Sequence, residues 1–229
     1  MKASKKIILL VLVIVVIAGI ASSLGIFSRQ GPGSFTYESI RGRIVMIYGK
    51  GIYQHMSTEV AVQGIAQDYV TLFIAIPLLI LSLIFALKDS LKARFILAGT
   101  LGYFFVTYLF YTAMGMYNIM FLGYVILLAT TFFALVLILF SFKLNELPQY
   151  FWRKAPVRFA GGFLIFNTIA IALLWLSVVV PPLLDGTIYP PGLEHYTTMI
   201  VQGFDLGLLL PIGFVSALLL LNRRAMGYL

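Results

Sequence analysis

Six long apolar runs constrain this chain more than any other feature of its sequence. They cover residues 7–27, 69–87, 95–114, 119–142, 159–184 and 199–221. A helix of roughly 20 apolar residues spans the ~30 Å hydrocarbon core of a bilayer, and in lipid each segment must satisfy its own backbone hydrogen bonds. The sequence therefore predicts an all-α integral membrane protein, a bundle of six transmembrane helices that forms a single domain over residues 1–229.

The composition excludes a soluble protein and several kinds of chemistry. Hydrophobic residues make up 61% of the chain and charged residues only 10%, which is more apolar surface than a soluble fold buries. The chain has no cysteine, so disulfides, thiolate metal sites, thiol nucleophiles and iron–sulfur clusters are excluded. It also lacks a P-loop, a G-x-S-x-G elbow and an H-E-x-x-H motif, and no cofactor is predicted.

The positive charges fall on alternate linkers of the predicted topology. Twelve of the 16 Lys and Arg residues lie on one side of the membrane: Lys2, Lys5, Lys6, Lys88, Lys92, Arg94, Lys143, Arg153, Lys154, Arg158, Arg223 and Arg224. The remaining four lie in the long loop on the opposite side: Arg29, Arg41, Arg43 and Lys50. By the positive-inside rule both termini are predicted to be cytoplasmic, in a multi-pass protein of the cell membrane. The net charge of +8 thus reflects topology and contact with the anionic lipid bilayer, and nucleic acid is not predicted as a partner.

The first apolar run has two interpretations. Its lysines, its apolar stretch and the small residues Gly19 and Ala21 resemble a cleavable signal peptide. The stretch 7–27 is longer than a usual signal core of about 7–15 residues, and this length favours a retained first helix.

The extracytoplasmic loop between helices 1 and 2, residues 28–68, is too long to be only a connection. Its segments Ile44–Tyr48 and Ile52–His55 flank a glycine-containing turn, a pattern typical of a small β-hairpin. Ser57 is a candidate N-cap for a helix that runs through Asp68 into helix 2. We expect a folded cap over the outer end of the bundle; the alternative is a loosely draped loop.

The linker 143–158 carries Tyr150, Phe151 and Trp152 beside Arg153 and Lys154. Aromatic rings next to cations suit the headgroup layer of a membrane. We expect this segment to lie on the inner surface of the bilayer as an anchor.

Asp205 is an acid inside the sixth apolar run, a position that is costly in lipid and directs it toward the bundle interior or a water-filled cavity. His195, Thr198, Gln202 and Asp205 are spaced three, four and three residues apart, so a helix would present them on one face. Pro211 is expected to bend this helix one turn below Asp205. Either the polar face binds a ligand or proton, or Asp205 only bonds a Tyr, Asn or Thr of a neighbouring helix.

Helix 3 supplies the expected partners of Asp205. Tyr103, Thr107 and Tyr111 recur every four residues, and Tyr hydroxyls inside a bundle need hydrogen-bond partners. Together with Asp68 they complete the predicted ligand-binding set, between helices 2, 3 and 6. The alternative is that these side chains only pack or lie in the interfacial belt.

The sequence leaves a metal site undecided. His55 and Glu59 are four residues apart, and Glu194 and His195 are adjacent. These side chains bind a divalent ion only if their loops converge, and no established zinc spacing is present. Solvated loop residues are the alternative.

Several segments resemble a group of prokaryotic multi-spanning membrane proteins whose activity is not known. These segments are Gly51-Ile52-Tyr53, Gln67–Leu72, Tyr196-Thr197-Thr198, Asp205-Leu206-Gly207 with Pro211, Arg223-Arg224 and Gly227-Tyr228-Leu229. The resemblance extends over most of the chain and implies no activity. It supports treating Asp68 and Asp205 as parts of one constellation.

Three hypotheses of function follow. The favoured one is a transporter, or the capture subunit of one, that binds a small molecule or cation near the outer face. The second is an accessory or scaffold subunit that binds no ligand and packs with partner membrane subunits. The least favoured is a membrane-embedded enzyme acting on lipid, with His195 and a carboxylate as its acid–base pair.

Overall fold

A computed structural model describes residues 5–151 and 155–229 of the protein. Within these ranges six helices are long and apolar enough to cross a membrane: α1 Lys5–Phe27, α2 Thr58–Leu87, α3 Leu91–Ala113, α4 Phe121–Phe140, α5 Val157–Leu184 and α6 Ile200–Leu221. Each covers one of the six apolar runs except for at most two residues at either end of the run, so the prediction of six such helices is confirmed. The chain divides into two compact units, a first unit Met1–Ser141 and a second unit Phe142–Leu229.

The first unit is a four-helix bundle in which α1 and α3 each pack against both α2 and α4. The apolar pattern of α1 shows how the sequence produces this arrangement. Its buried side chains recur at intervals of three and four residues, which places them on one helical face: Ile7, Val11, Ile14, Ala18, Ala21, Ser22 and Gly25. On another side of α1, Leu9, Leu12, Val16 and Ile20 are more than half exposed, as expected for a lipid-facing surface.

A folded segment of the loop, residues 28–57 and called the cap below, lies between α1 and α2. It contains an antiparallel hairpin of β1 Phe35–Glu38 and β2 Ile44–Ile47, with Phe35 opposite Ile47 and Glu38 opposite Ile44. The prediction of a small hairpin is therefore confirmed, but the predicted second strand is wrong. Ile52–His55 is not a strand, because Gly51–Tyr53 forms a 3₁₀ turn.

Two glycines explain why the chain turns at this point instead of continuing as a strand. Gly49 and Gly51 have φ angles of +72° and +58°, a left-handed backbone conformation that residues with a Cβ atom rarely adopt. The neighbouring segment holds both in place: the Gly33 amide donates to the Gly49 carbonyl at 3.0 Å, and the Gly51 amide donates to the Gln30 carbonyl at 2.6 Å.

Helix α2 leaves the cap as one continuous element. The Ser57 Oγ accepts a hydrogen bond from the Val60 amide at 3.4 Å, so the predicted N-cap is confirmed. A wide π turn at Thr71–Ala75 precedes Pro77, because a proline lacks an amide hydrogen and its ring collides with the carbonyl four residues earlier.

The second unit contains α5 and α6, which pack against each other with few buried residues. Gly161 allows α5 to approach Leu221 of α6 closely, and Ala217 of α6 is fully buried. Many apolar side chains remain exposed, including Phe166 at 70%. In α6 a second π turn, Asp205–Leu209, precedes Pro211. The bend predicted one turn below Asp205 stays a prediction.

The linker predicted to lie on the membrane surface is described only in part. Phe151 stacks on Tyr228 of the C-terminal 3₁₀ turn, with ring centroids 4.4 Å apart. Trp152, Arg153 and Lys154, on which the anchoring prediction also rests, lie outside the described residues.

Candidate functional site

Asp68 occupies the centre of a hydrogen-bonded cluster in the first unit. Its side chain is only 2% exposed. The Tyr53 hydroxyl donates to Asp68 Oδ2 at 2.6 Å, and the Tyr111 hydroxyl lies 3.2 Å from Asp68 Oδ1 and 3.0 Å from the Gly64 carbonyl oxygen. The cluster therefore joins the cap, α2 and α3 through one buried carboxyl group.

Two glycines give this carboxyl group its space. A Cβ atom on Gly25 of α1 would overlap Asp68 Oδ2, and a Cβ on Gly64 of α2 would come within 3.1 Å of the Tyr53 ring. Both positions are helical, so the glycines serve close approach and not an unusual backbone angle. The first unit thus places the carboxyl group against helix α1 at a point where no larger residue fits.

Tyr53 reaches Asp68 because the cap fixes the 3₁₀ turn that carries it. Ser28, directly after α1, accepts a hydrogen bond from the Ile52 amide at 3.0 Å and donates to the Leu24 carbonyl at 2.5 Å. Burial raises the pKa of the Tyr53 hydroxyl far above its ordinary value, and the neighbouring Tyr111 and Asp68 raise it further. Tyr53 therefore remains a protonated donor at neutral pH.

A second polar cluster involves Gln67 and Thr71 of α2, the residues one before and three after Asp68. The Gln67 side-chain amide donates to the Tyr103 hydroxyl at 2.8 Å and to Thr107 Oγ1 at 3.1 Å. Tyr103 also shares a hydrogen bond of 2.8 Å with Thr71. Four of the predicted site residues, Asp68, Tyr103, Thr107 and Tyr111, are therefore brought into neighbouring hydrogen-bond clusters along the α2–α3 contact.

Two cavities open near these clusters at the end of the first unit that carries the cap, called the cap end below. The larger, the cap depression, has a volume of about 600 Å³. Its polar and aromatic lining comes from α1, the cap and the α3–α4 turn: Ser28, Gln30, Gln54, His55, Tyr117 and Asn118. Gly51 and Ile52, the two residues before Tyr53, also line it, so the wall of the depression and the carboxyl-binding turn are one segment.

The smaller cavity, called the turn cavity, has a volume of about 80 Å³. Tyr111 and Tyr124 line its inner part, and Tyr117 and Asn118 are shared with the cap depression. Tyr111 thus borders a cavity and also contacts Asp68.

The other four predicted residues lie in the second unit. Asp205 Oδ2 accepts a hydrogen bond from the Trp175 indole N–H at 2.7 Å, so its partner in this unit is a Trp of α5 where a Tyr, Asn or Thr was expected. Gln202 is half-buried in the first turn of α6.

The prediction that His195 and Thr198 share a helical face with Asp205 is wrong. Helix α6 begins at Ile200, and a 3₁₀ turn at Pro191–Leu193 followed by irregular chain precedes it. Glu194 (φ +47°, ψ −120°) and Met199 (φ −86°, ψ +73°) both have non-helical backbone angles, so no continuous helix connects His195 to Asp205.

The candidate metal ligands do not form a metal centre. Among residues 5–151 and 155–229, no group of three or more His, Asp or Glu side chains is placed to hold an ion. His55 and Glu59 are both exposed at the cap surface.

Sequence reasoning missed several members of the Asp68 cluster. Gly64, Gln67 and Thr71 recur at intervals of three and four residues on one side of α2, a signal that was available from the sequence. Tyr53 and Trp175 carried no such signal, because their partners are distant along the chain.

The cluster can hold a proton on its buried carboxyl group, or orient a polar molecule through its hydroxyl and amide groups.

Comparison with models of protein families, with curated proteins and with solved structures returned no match to this chain.

Proposed function

We propose that this chain is a multi-pass protein of the cell membrane that captures a small polar molecule or ion at the cap end of its first unit. It would act as a transporter or as the capture subunit of one. In this proposal both termini are cytoplasmic and the cap faces outward, as the distribution of Lys and Arg indicates.

The observation that carries the proposal is the position of the cap depression. It is about 600 Å³ in volume, within the range of ligand pockets in general, roughly 300–1,000 Å³. Side-chain amides of Gln30 and Gln54 and the exposed ring of Tyr117 line it, so hydrogen bonds and ring contacts are both available to a ligand. The turn that forms its wall ends in Tyr53, which bonds the buried Asp68.

The alternative of a scaffold subunit without a ligand also has an observation in its favour. Both oxygens of Asp68 already lie within hydrogen-bond distance of a tyrosine hydroxyl inside the protein. A closed network of this kind fixes packing on its own. Ligand binding in the depression separates the two proposals.

The orientation is tested with single cysteines, since the chain has none of its own. Lys50 in the cap and Lys88 at the end of α2 are both exposed and are replaced by cysteine one at a time. We expect a membrane-impermeant maleimide to label Lys50→Cys in intact cells, and Lys88→Cys only after permeabilisation. Labelling in the reverse order would contradict the proposed orientation.

Ligand capture is tested with Gln54→Cys, which lines the depression. Purified protein in lipid nanodiscs is labelled in choline chloride, and then with sodium chloride, potassium chloride, glucose or glycine added. We expect at least one probe to slow labelling of Gln54→Cys several-fold, because an occupied depression excludes the reagent. Lys50→Cys, outside the depression, is the matched control. Equal rates at Gln54→Cys with all four probes would favour the scaffold.

A further inference from the structure

We propose that Asp68 is a proton-binding site, loaded and unloaded from the cap end through the Tyr111 hydroxyl. This inference is independent of whether the cap depression binds a ligand. It rests on the groups that surround the Asp68 carboxyl group and on the hydrogen bonds that these groups can form in each protonation state.

The surroundings of Asp68 supply hydrogen bonds but no positive charge. The titratable side chains around it are all tyrosines: Tyr53 from the cap, Tyr103, Tyr108 and Tyr111 from α3 and Tyr124 from α4. Helix α1 contributes Gly25. In the described chain no Lys, Arg or His forms an ion pair with Asp68. A carboxylate without a cation is costly at this depth, and a bound proton removes the charge.

The hydrogen bonds are satisfied in both protonation states without movement of a heavy atom. In the ionised state Tyr53 donates to Oδ2 across 2.6 Å and Tyr111 donates to Oδ1 across 3.2 Å. In the neutral state the acid O–H on Oδ1 donates to Tyr111 Oη across the same 3.2 Å. Tyr111 then turns its own hydrogen to the Gly64 carbonyl, 3.0 Å away. Each hydroxyl has an acceptor in either state.

The short contact between Tyr53 and Asp68 favours a proton over a metal ion. Their oxygens are 2.6 Å apart, whereas each metal–oxygen bond alone is about 2.0–2.6 Å for Mg²⁺ or Ca²⁺. An ion cannot occupy that space unless the cap moves, but a proton needs no additional volume.

Tyr111 provides the route for exchange, because it borders the turn cavity and contacts Asp68. A hydronium ion at the cap end donates a proton to Tyr111 Oη, and Tyr111 passes its original hydrogen to Asp68 Oδ1. The hydronium becomes water and the carboxylate becomes a carboxylic acid. Release follows the same steps in reverse, so neither an oxidant nor a further reactant is required.

Infrared spectroscopy of the purified protein in lipid nanodiscs tests the proposal directly. A protonated carboxyl group has a carbonyl stretch that the carboxylate lacks. We expect the wild type to show such a band, to lose it as pH rises, and to shift it in deuterated water. Asp68→Asn should lack this band at every pH, whereas Asp205→Asn should keep it. An asparagine side chain can still accept from Tyr53 and donate to Tyr111, and circular dichroism checks that the variant is folded.

Two results would overturn the proposal. One is a spectrum of folded Asp68→Asn in which no carboxyl band has been lost, which would mean that Asp68 binds no proton. The other concerns the route: Tyr111→Phe should slow the deuterium shift of the band several-fold, whereas Tyr117→Phe, which removes another hydroxyl from the same cavity, should not. If Tyr111→Phe exchanges as fast as the wild type, the proton does not pass through Tyr111.

Discussion

Replacing Gly25 with alanine is expected to destabilise the first unit by about 2–4 kcal/mol, the combined effect of overpacking and of a disturbed buried acceptor. The added methyl group would overlap Asp68 Oδ2. The carboxyl group must then move away from Tyr53, or α1 must shift within the bundle. The measurement is the free energy of unfolding in mixed detergent micelles, followed by circular dichroism.

Gly19→Ala on the same helix is the matched control. A Cβ there meets only the Ile76 side chain, at 4.0 Å, which is ordinary van der Waals contact. Because alanine favours a helix over glycine by up to about 1 kcal/mol, this variant should be as stable as the wild type or more so. If Gly25→Ala is also neutral, Asp68 does not occupy the space that we assign to it.

Loss of Tyr53 is expected to have the second large effect, and two variants separate its causes. Tyr53→Phe removes only the hydroxyl and leaves Asp68 Oδ2 without its 2.6 Å hydrogen bond. We expect this change to lower the free energy of unfolding by about 1–3 kcal/mol. Tyr53→Ala also removes the ring from a cluster with Ile52, Met56 and Ala61, and large aromatic-to-alanine changes in cores amount to about 3–5 kcal/mol.

The same unfolding assay measures both variants, and limited proteolysis of the cap reports whether the loss is local. Tyr69→Phe serves as control, because Tyr69 lies on α2 and is 49% exposed. We expect the order Tyr69→Phe, Tyr53→Phe, Tyr53→Ala in increasing loss of stability and in increasing cleavage of the cap. A cap that is cleaved equally in all three variants would show that Tyr53 does not hold it.

The parts of the fold that sequence predicted correctly depend on local patterns. The six helices follow from the apolar runs, since a backbone in lipid has few alternatives to a helix. The start of α2 follows from Ser57 alone, because an N-cap hydrogen bond spans only three residues.

The errors concern pairings between distant residues. Ile44–Ile47 was correctly predicted as a strand. Its predicted partner was Ile52–His55, which follows it in the chain, but its actual partner is Phe35–Glu38, which precedes it. Phe35–Glu38 contains three residues that favour strands, Phe35, Thr36 and Tyr37, but its pairing with β2 was missed. His195 and Thr198 have helical spacing from Asp205, yet the backbone is non-helical at Glu194 and Met199 and α6 begins only at Ile200.

The candidate site shows the same division. Tyr103, Thr107 and Tyr111 were identified from the four-residue spacing of α3, and Asp68 from the resemblance that pairs it with Asp205. All four lie in the α2–α3 clusters. Tyr53 completes the site from the cap, and its contact with Asp68 depends on the turn that Ser28 and Gly51 create. No local pattern reports a contact of that kind.

The two acids Asp68 and Asp205 share a local context that neither composition nor topology requires. Asp68 and Asp205 each lie shortly before or within a π turn that ends two residues before a proline. Each accepts a hydrogen bond from an aromatic side chain, Tyr53 or Trp175. Only Asp68, with its tyrosine hydroxyls and an adjacent cavity, has groups that can transfer a proton.

A side-chain-resolution density map of the protein in lipid nanodiscs tests most directly the central claim, that a buried carboxyl group holds the cap over a ligand-sized depression. We predict that the Tyr53 hydroxyl contacts the Asp68 carboxyl group and that the depression bordered by Gln54 and Tyr117 remains open to the cap end. A map in which Asp68 faces lipid, or in which the cap fills the depression, would contradict the account.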